Sequence, residues 1–257
     1  MARVFITGSA DGLGLMAARL LIAQGHQVIL HGRNERRAQE ALHAAPGAVT
    51  ALVGDLTSIT ETKRLAALAN EQGPLDAVIH NAGVGYQEPH IITVDGIPHV
   101  FAVNSLAPYI LTCLISKPKR LIYISSGLHR SGDPSLQDLA WNTRPWSGYS
   151  AYADSKLHDV ILAFAVARKW PTVLSNAMEP GWVATKMGGP HAPDSLEDAP
   201  KTQVWLATSQ DKNALVSGKY FYHEKLHEYQ RAAGDREVQE KFLAECGRIS
   251  GVTFPGA

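Results

Sequence analysis

Val4-Phe5-Ile6-Thr7-Gly8-Ser9-Ala10-Asp11-Gly12-Leu13-Gly14 runs from a short apolar strand, through a glycine-rich turn, into a helix candidate spanning Leu13 to Gln24. Gly25 follows as the stop that a helix C-terminus favours. Glycines in such a turn let the backbone approach a pyrophosphate and let helix and strand pack closely. The helix N-terminus supplies N–H donors and a partial positive charge. The spacing is G-x-x-x-G-x-G, not the more general G-x-G-x-x-G, so the position between first strand and first helix carries the reading. Gly8, Ser9, Asp11, Gly12, Leu13 and Gly14 are therefore candidate cofactor-binding residues.

Outward from that turn, short apolar runs alternate with helical patterns. The runs are Val4 to Ile6, Val28 to Leu30, Val49 to Val53, Ala77 to Ile79, Leu121 to Ile124, Thr172 to Leu174 and Tyr220 to Tyr222. Near-continuous apolar strands are what a parallel sheet buried on both faces requires. Ser58 to Gln72, followed by Gly73, reads as one of the crossover helices, with Ser58 as its N-cap. The pattern predicts a Rossmann-type doubly wound fold, three layers of α/β/α around a mostly parallel seven-stranded sheet. No repeat or linker divides the chain, so residues 1–257 read as a single domain. Met187 to Pro200, rich in Gly and Pro, reads as a substrate loop.

Composition narrows the function classes. The 257 residues carry 24 Lys plus Arg against 24 Asp plus Glu, which offers no electrostatic reason to expect nucleic acid as a partner. No apolar run is long enough for a membrane span or a signal peptide core. Cys113 and Cys246 are the two cysteines, far apart and in no metal-type spacing, which suits a reducing compartment with the cytoplasm as default. A small molecule is the expected partner, and no metal is expected.

The second strand ends in Leu30-His31-Gly32-Arg33-Asn34. About 20 residues past the glycine turn, an enzyme using NAD usually carries an acid for the ribose 2′-hydroxyl. Here glycine stands there and a guanidinium follows, which suits a 2′-phosphate through charge-assisted, often bidentate hydrogen bonds. NADP(H) is the expected cofactor, with NAD possible, and Arg33 and Asn34 join the binding set.

Tyr152 and Lys156 stand at i, i+4, on one helix face. Reducing a carbonyl by hydride needs an acid for the developing alkoxide, and the reverse reaction needs a base. A tyrosine hydroxyl with an ammonium nearby can fill both roles, because the charge favours the phenolate. Ser126, at the C-terminal end of a strand, can hydrogen-bond the substrate oxygen.

These segments together resemble the short-chain dehydrogenase/reductase family over nearly the whole chain. The Thr7 to Gly14 turn, Ser125-Ser126 at a strand end and Tyr152-Ala153-Asp154-Ser155-Lys156 carry the likeness. Ala151 to Leu157 and Gly218-Lys219-Tyr220-Phe221 look nearest the retinol-dehydrogenase-like branch. The resemblance implies that Asp55 and Leu56 touch the adenine and that Asn81, Ala82 and Gly83 line the cofactor. It also implies that Asn104 takes part in a proton relay and that Lys156 holds the nicotinamide ribose. Pro180, Gly181, Val183 and Thr185 would form the nicotinamide-side loop. It further implies association into a homodimer or homotetramer through helices around Pro98 to Ile115 and Ala151 to Trp170. The second carries Leu157, Ile161, Phe164 and Ala165 at helical spacing, a stripe that can equally face the protein's own sheet.

Several features depart from the family pattern. His80 stands where an asparagine is usual, and Asp11 occupies a position where some NADP-preferring members carry a base. The interval from Ser126 to Tyr152 is long, and its extra residues, Gly127 to Gly148, include His129, Trp141 and Trp146. They wall the substrate pocket or form a satellite core. His223-Glu224-Lys225-Leu226-His227 matches H-E-x-x-H, which on a helix would present two imidazoles to zinc. It follows a strand candidate directly, so a mid-helix position is not expected. The alternative class is a catalytically silent, dinucleotide-sensing regulatory protein, whose mark would be loss of the tyrosine or lysine.

Overall fold

The computed structural model describes residues 1–87 and 89–256. The chain runs β1 (Arg3–Ile6), α1 (Gly12–Ala23), β2 (Gln27–Gly32), α2 (Glu35–Ala44), β3 (Thr50–Val53), α3 (Ile59–Glu71) and β4 (Ala77–His80). After β4 come α4 (His99–Phe101), a π-helical turn (Ala102–Leu106), α5 (Ala107–Leu114) and β5 (Arg120–Ile124). A 3₁₀ turn (Gly127–Ser131), α6 (Gly148–Lys169), β6 (Leu174–Glu179), α7 (Lys201–Thr208), β7 (Tyr220–Tyr222), β8 (Lys225–Leu226) and α8 (Arg236–Ser250) complete it. Local chemistry sets the helix ends. Asn34, Ser58, Ser147 and Asp235 accept N-terminal backbone N–H bonds at α2, α3, α6 and α8. Gly251, at φ +64°, closes α8 in the left-handed conformation.

The strand order is β3-β2-β1-β4-β5-β6-β7-β8, parallel from β3 to β7. The order reverses between β1 and β4, and the C-terminal strand ends at such a switch point are the usual ligand site of these sheets. One core packs Leu65 of α3, Tyr109 of α5, Leu157 and Ile161 of α6 and Phe242 of α8 on one face of the sheet. The other packs Ala17 and Leu21 of α1, Ala41 of α2 and Val204 of α7 on the opposite face. The three-layer arrangement is the expected one.

Two details differ from the sequence reading, and a third concerns a point it left open. The sheet has eight strands, because Lys225–Leu226 turns back antiparallel on β7. β6 begins at Leu174, two residues later than expected, since Val173 N–H bonds to the Trp170 carbonyl and the preceding segment forms a turn. The stripe on α6 is internal: Leu157, Ile161, Phe164 and Ala165 are buried within the chain. α8 lies along α6, with His158 stacked on Phe242 at 4.9 Å and Arg168 hydrogen-bonded to Gln239 at 2.8 Å. The His-Glu-x-x-His segment forms the β7–β8 hairpin. His223 and Glu224 take φ of +48° and +60° at its two central positions, so no helix face presents the imidazoles. No helix among the described residues is long and apolar enough to cross a membrane.

Candidate active site

The turn after β1 is interlocked with its neighbours through backbone groups. Ser9 Oγ donates to the Ile6 carbonyl at 3.0 Å and accepts from His31 N–H at 2.8 Å. Gly8 N–H donates to His31 Nδ1 at 2.9 Å, so the ring proton sits on Nε2, 2.8 Å from the Gly54 carbonyl. A neutral imidazole thus ties the turn to β2 and to the loop after β3. Burial lowers His31 below the ordinary histidine value, against the Gly54 bond and the Asp55 charge. Asn81 Nδ2 donates to the carbonyls of Thr7 (3.0 Å) and Gly8 (3.1 Å), and Thr7 Oγ1 accepts from the backbone of Asn81 and Ala82. Gly14 faces this lattice: a Cβ there would stand 2.6 Å from the Gly8 carbonyl and collide with the Asn81 amide.

Gly12, Leu13 and Gly14 open α1, and Asp11, its N-cap, makes no side-chain cap bond. The first N–H groups of the helix therefore face the crevice without a capping side chain, as a pyrophosphate requires. The Asp11 carboxylate turns outward to Arg37 (2.6 Å) and Lys186 (3.1 Å). Partial burial opposes its charge, but the two cations hold Asp11 below the usual carboxylate range. Gly32 admits no side chain, since a Cβ would lie 2.5 Å from the Ala38 nitrogen of α2. Arg33 is exposed and has no ion pair among the described residues. Asn34 caps α2, and Asp55 Oδ1 accepts from Thr57 N–H and hydroxyl at 2.9 and 2.8 Å. Leu56 is a core residue, which leaves its backbone for any ligand contact.

Asn104 lies in the π-helical turn. Its Oδ1 accepts from Val84 N–H (2.8 Å), and its Nδ2 donates to the Val84 carbonyl (3.0 Å) and Ser155 Oγ (2.9 Å). It therefore fixes the segment after β4, including Ala82 and Gly83, against α6. Of the paired serines, Ser125 is committed: its Oγ donates to the Lys156 carbonyl at 2.7 Å. Ser126 Oγ only accepts, from Leu128 N–H at 3.3 Å, and keeps its own proton for another partner. Tyr152 is buried, with Lys156 Nζ 5.7 Å from its ring centre and its hydroxyl 3.8 Å from Met187 Sδ. Lys156 Nζ donates to the Ile124 carbonyl (2.7 Å) and to Asp159 Oδ2 (2.9 Å). Burial works against the ammonium, but Asp159 beside it raises Lys156 above the ordinary lysine value.

The side of the site next to Tyr152 is built from side chains. Tyr86 meets Tyr152 edge-on at 6.1 Å, His90 stacks on Trp146 at 4.4 Å, and Trp146 meets Trp141 at 5.1 Å. Trp141, Val100 and Ala151 form a satellite core, with Val84 and Trp146 packed against it. The long interval before Tyr152 thus forms a satellite core, with Trp146 half-buried at its edge. His129 belongs to the framework, with Nδ1 donating to the Ser126 carbonyl (2.7 Å) and Nε2 accepting from Gln230 N–H (3.3 Å). Pro180 and Gly181 leave β6, Val183 pairs with Asp194, and Thr185 Oγ1 accepts from Gly188 N–H. Arg37, Lys186 and Asp159 are the contacts that sequence reasoning missed, whereas Met187 opens the loop expected on the substrate side. Only Asp159 left a signal, as an acid one turn past Lys156 and directly before the apolar run Val160 to Ala167.

The family profile described as short chain dehydrogenase matches residues 2–130. An uncharacterized oxidoreductase, AN7799, of Emericella nidulans is 47% identical, with 100% of each chain covered. Human retinol dehydrogenase 13 is 32% identical over 98% of this chain and 85% of its own. A crystal structure of an uncharacterized protein from Mycobacterium Paratuberculosis superposes with a TM-score of 0.85 at 25% identity, covering 99% of this chain and 95% of that one. A doubly wound sheet with a glycine cradle at its switch point and a Tyr-x-x-x-Lys helix beside it defines a dinucleotide-dependent oxidoreductase. The chain belongs to the short-chain dehydrogenase/reductase family, in its retinol-dehydrogenase-like branch. It is accordingly an enzyme acting on CH–OH donors with NAD(P) and a small-molecule substrate.

Proposed function

We propose that the protein interconverts an alcohol and a carbonyl on a small to medium apolar substrate, using NADP(H). The observation that carries this reading is the grouping at the ends of β4 and β5. The uncommitted Ser126 hydroxyl, Tyr152 and Lys156 stand beside a glycine-lined cradle whose helix N-terminus is uncapped. A dinucleotide fits that cradle because the space beside Gly12 is open and the helix N-terminus is uncapped, while Gly8 and Gly14 let the turn pack closely on Ala82 and Asn81. When bound, NADPH supplies the hydride. Tyr152 gives its hydroxyl proton to the oxygen of the carbonyl as that oxygen gains charge, and takes it back in the reverse direction. Ser126 donates to the same oxygen and orients it. Lys156 holds the ribose and, through its charge, steadies the Tyr152 oxygen when the proton has left. Asn104 keeps the segment after β4 in register with these groups.

The preference for NADP rests on three groups. Gly32 cannot carry the acid that would read a 2′-hydroxyl, Arg33 is free to meet a 2′-phosphate, and Arg37 neutralises Asp11 nearby. The aromatic rim of Tyr86, His90 and Trp146 suits an apolar substrate. Retention of both Tyr152 and Lys156 speaks against a silent dinucleotide sensor. The two unpaired thiols are in keeping with a cytoplasmic protein. A homodimer or homotetramer would need a surface other than the Leu157 stripe, which α8 helps to cover. The test is loss of absorbance at 340 nm on mixing the protein with NADPH and a panel of apolar ketones and aldehydes. Turnover on at least one is expected, and none across a broad panel with NADPH bound contradicts the reading.

A further inference from the structure

Asp159 lies one helical turn past Lys156 on α6, and the two are only 3% and 5% exposed. The carboxylate accepts from Nζ at 2.9 Å, and the Ile124 carbonyl of β5 accepts a second proton at 2.7 Å. Two of the three ammonium protons are thereby committed to the framework. The third is left for the crevice side, where Gly83 has no side chain and a Cβ would stand 3.6 Å from Nζ. A buried carboxylate is costly unless paired. Its surroundings are otherwise uncharged. From α6 it faces Lys156 and, beyond it, Tyr152. From β5 it faces Tyr123, whose hydroxyl is held by Thr112 of α5 at 2.8 Å. Thr112 in turn meets His80 of β4 at 3.3 Å, and burial pushes that imidazole down to about 3, so it is neutral. Among the described residues, Lys156 is the one cation that acts on Asp159.

We infer that Asp159 is a positioning residue that pins Lys156 Nζ against β5 and offsets the charge that Lys156 presents to Tyr152. The inference rests on the acid–base role proposed for Tyr152. A lone ammonium stabilises the phenolate. An ammonium with a carboxylate at 2.9 Å acts on more distant groups as a dipole, whose field falls off faster. Burial pushes the Asp159 carboxyl up to about 6 against the pull of Lys156, so the offset is in place at neutral pH.

Asp159→Asn keeps the shape and an acceptor for Nζ but removes the charge. With kcat followed against pH in both directions, the alcohol-oxidation limb is expected to move about one pH unit lower. The kcat of alcohol oxidation at pH 7 is expected to rise by up to about tenfold. Profiles that superimpose on wild type, whatever happens to thermal stability, overturn the inference. If Asp159→Asn does not fold, Asp159→Glu retains the charge and displaces it: an unshifted profile with weakened NADPH binding supports the inference, and a shifted one overturns it. Tyr152→Phe, assayed in parallel, separates the two ideas, since retained turnover there defeats the acid–base role itself.

Discussion

The two halves of the crevice are held by different forces. On the cofactor side, Gly8, Gly14, Ser9, His31 and Asn81 are joined through backbone amides and carbonyls, and added side-chain atoms at either glycine would meet atoms that cannot retreat. On the substrate side, contacts run from ring to ring and from Met187 to Tyr152, through side chains with rotamers to spare. Backbone lattices demand particular residues at particular spacings. Side-chain walls demand only apolar area, which many residues supply. The first half should therefore fail sharply when altered, and the second should respond gradually.

The largest effect is expected from Gly14→Val. Its branched side chain would press on the Gly8 carbonyl and the Asn81 amide, so NADPH binding by fluorescence titration should be lost in a protein that remains folded by circular dichroism. Normal binding would show that the turn is not the pyrophosphate site.

Acid should loosen both halves. Burial holds His80 and His158 down to about 3 and His129 to about 4, and it lowers His31 as well. The folded state refuses protons that the unfolded chain accepts below about 6.5. Stability is then complete above that pH and is lost as pH falls toward the folded values, by up to about 1.4 kcal/mol per pH unit for each histidine. Asp159, raised to about 6 in the folded state, and Asp154, also raised by burial, act in the opposite sense, but they are two groups against four. Urea midpoints should fall steadily from pH 6.5 to 5, and a flat profile contradicts the neutral, buried histidines. Because Gly8 N–H needs an unprotonated His31 Nδ1, cofactor affinity should fall with them.

A smaller effect is expected at Arg33. A charge-assisted hydrogen bond to a 2′-phosphate contributes roughly 1.5–3 kcal/mol, or about 10- to 100-fold in affinity, reduced by salt at this exposed position. Arg33→Ala should weaken NADPH by that factor or less and leave NADH unchanged. If the variant remains selective for NADPH, Arg37 becomes the reader, released from Asp11 to do so.

The same contrast explains what could be read without coordinates. Strand periodicity, the glycine turn and Tyr152 with Lys156 are local patterns: six of the seven expected strands lie where their runs stand, the turn follows β1, and the pair lies on one helix. The choice between Ser125 and Ser126 rested on resemblance, and only the Ser125 bond to the Lys156 carbonyl gives it a physical reason. Pairing across the fold left no trace: Lys186 with Asp11, or Met187 with Tyr152, joins residues far apart in sequence with no periodicity between them. The covering of α6 by α8 was equally hidden, because an apolar stripe looks the same whether its own chain or another buries it.

Tyr152→Phe tests the central claim most directly, because it removes one hydroxyl and leaves the ring packed against Tyr86. NADPH affinity and turnover of the best ketone are measured on the same preparation beside wild type. The expected result is affinity within a few-fold of wild type and turnover lower by about 10²-fold or more. Turnover near the wild-type rate would contradict the assignment of Tyr152 as the proton donor.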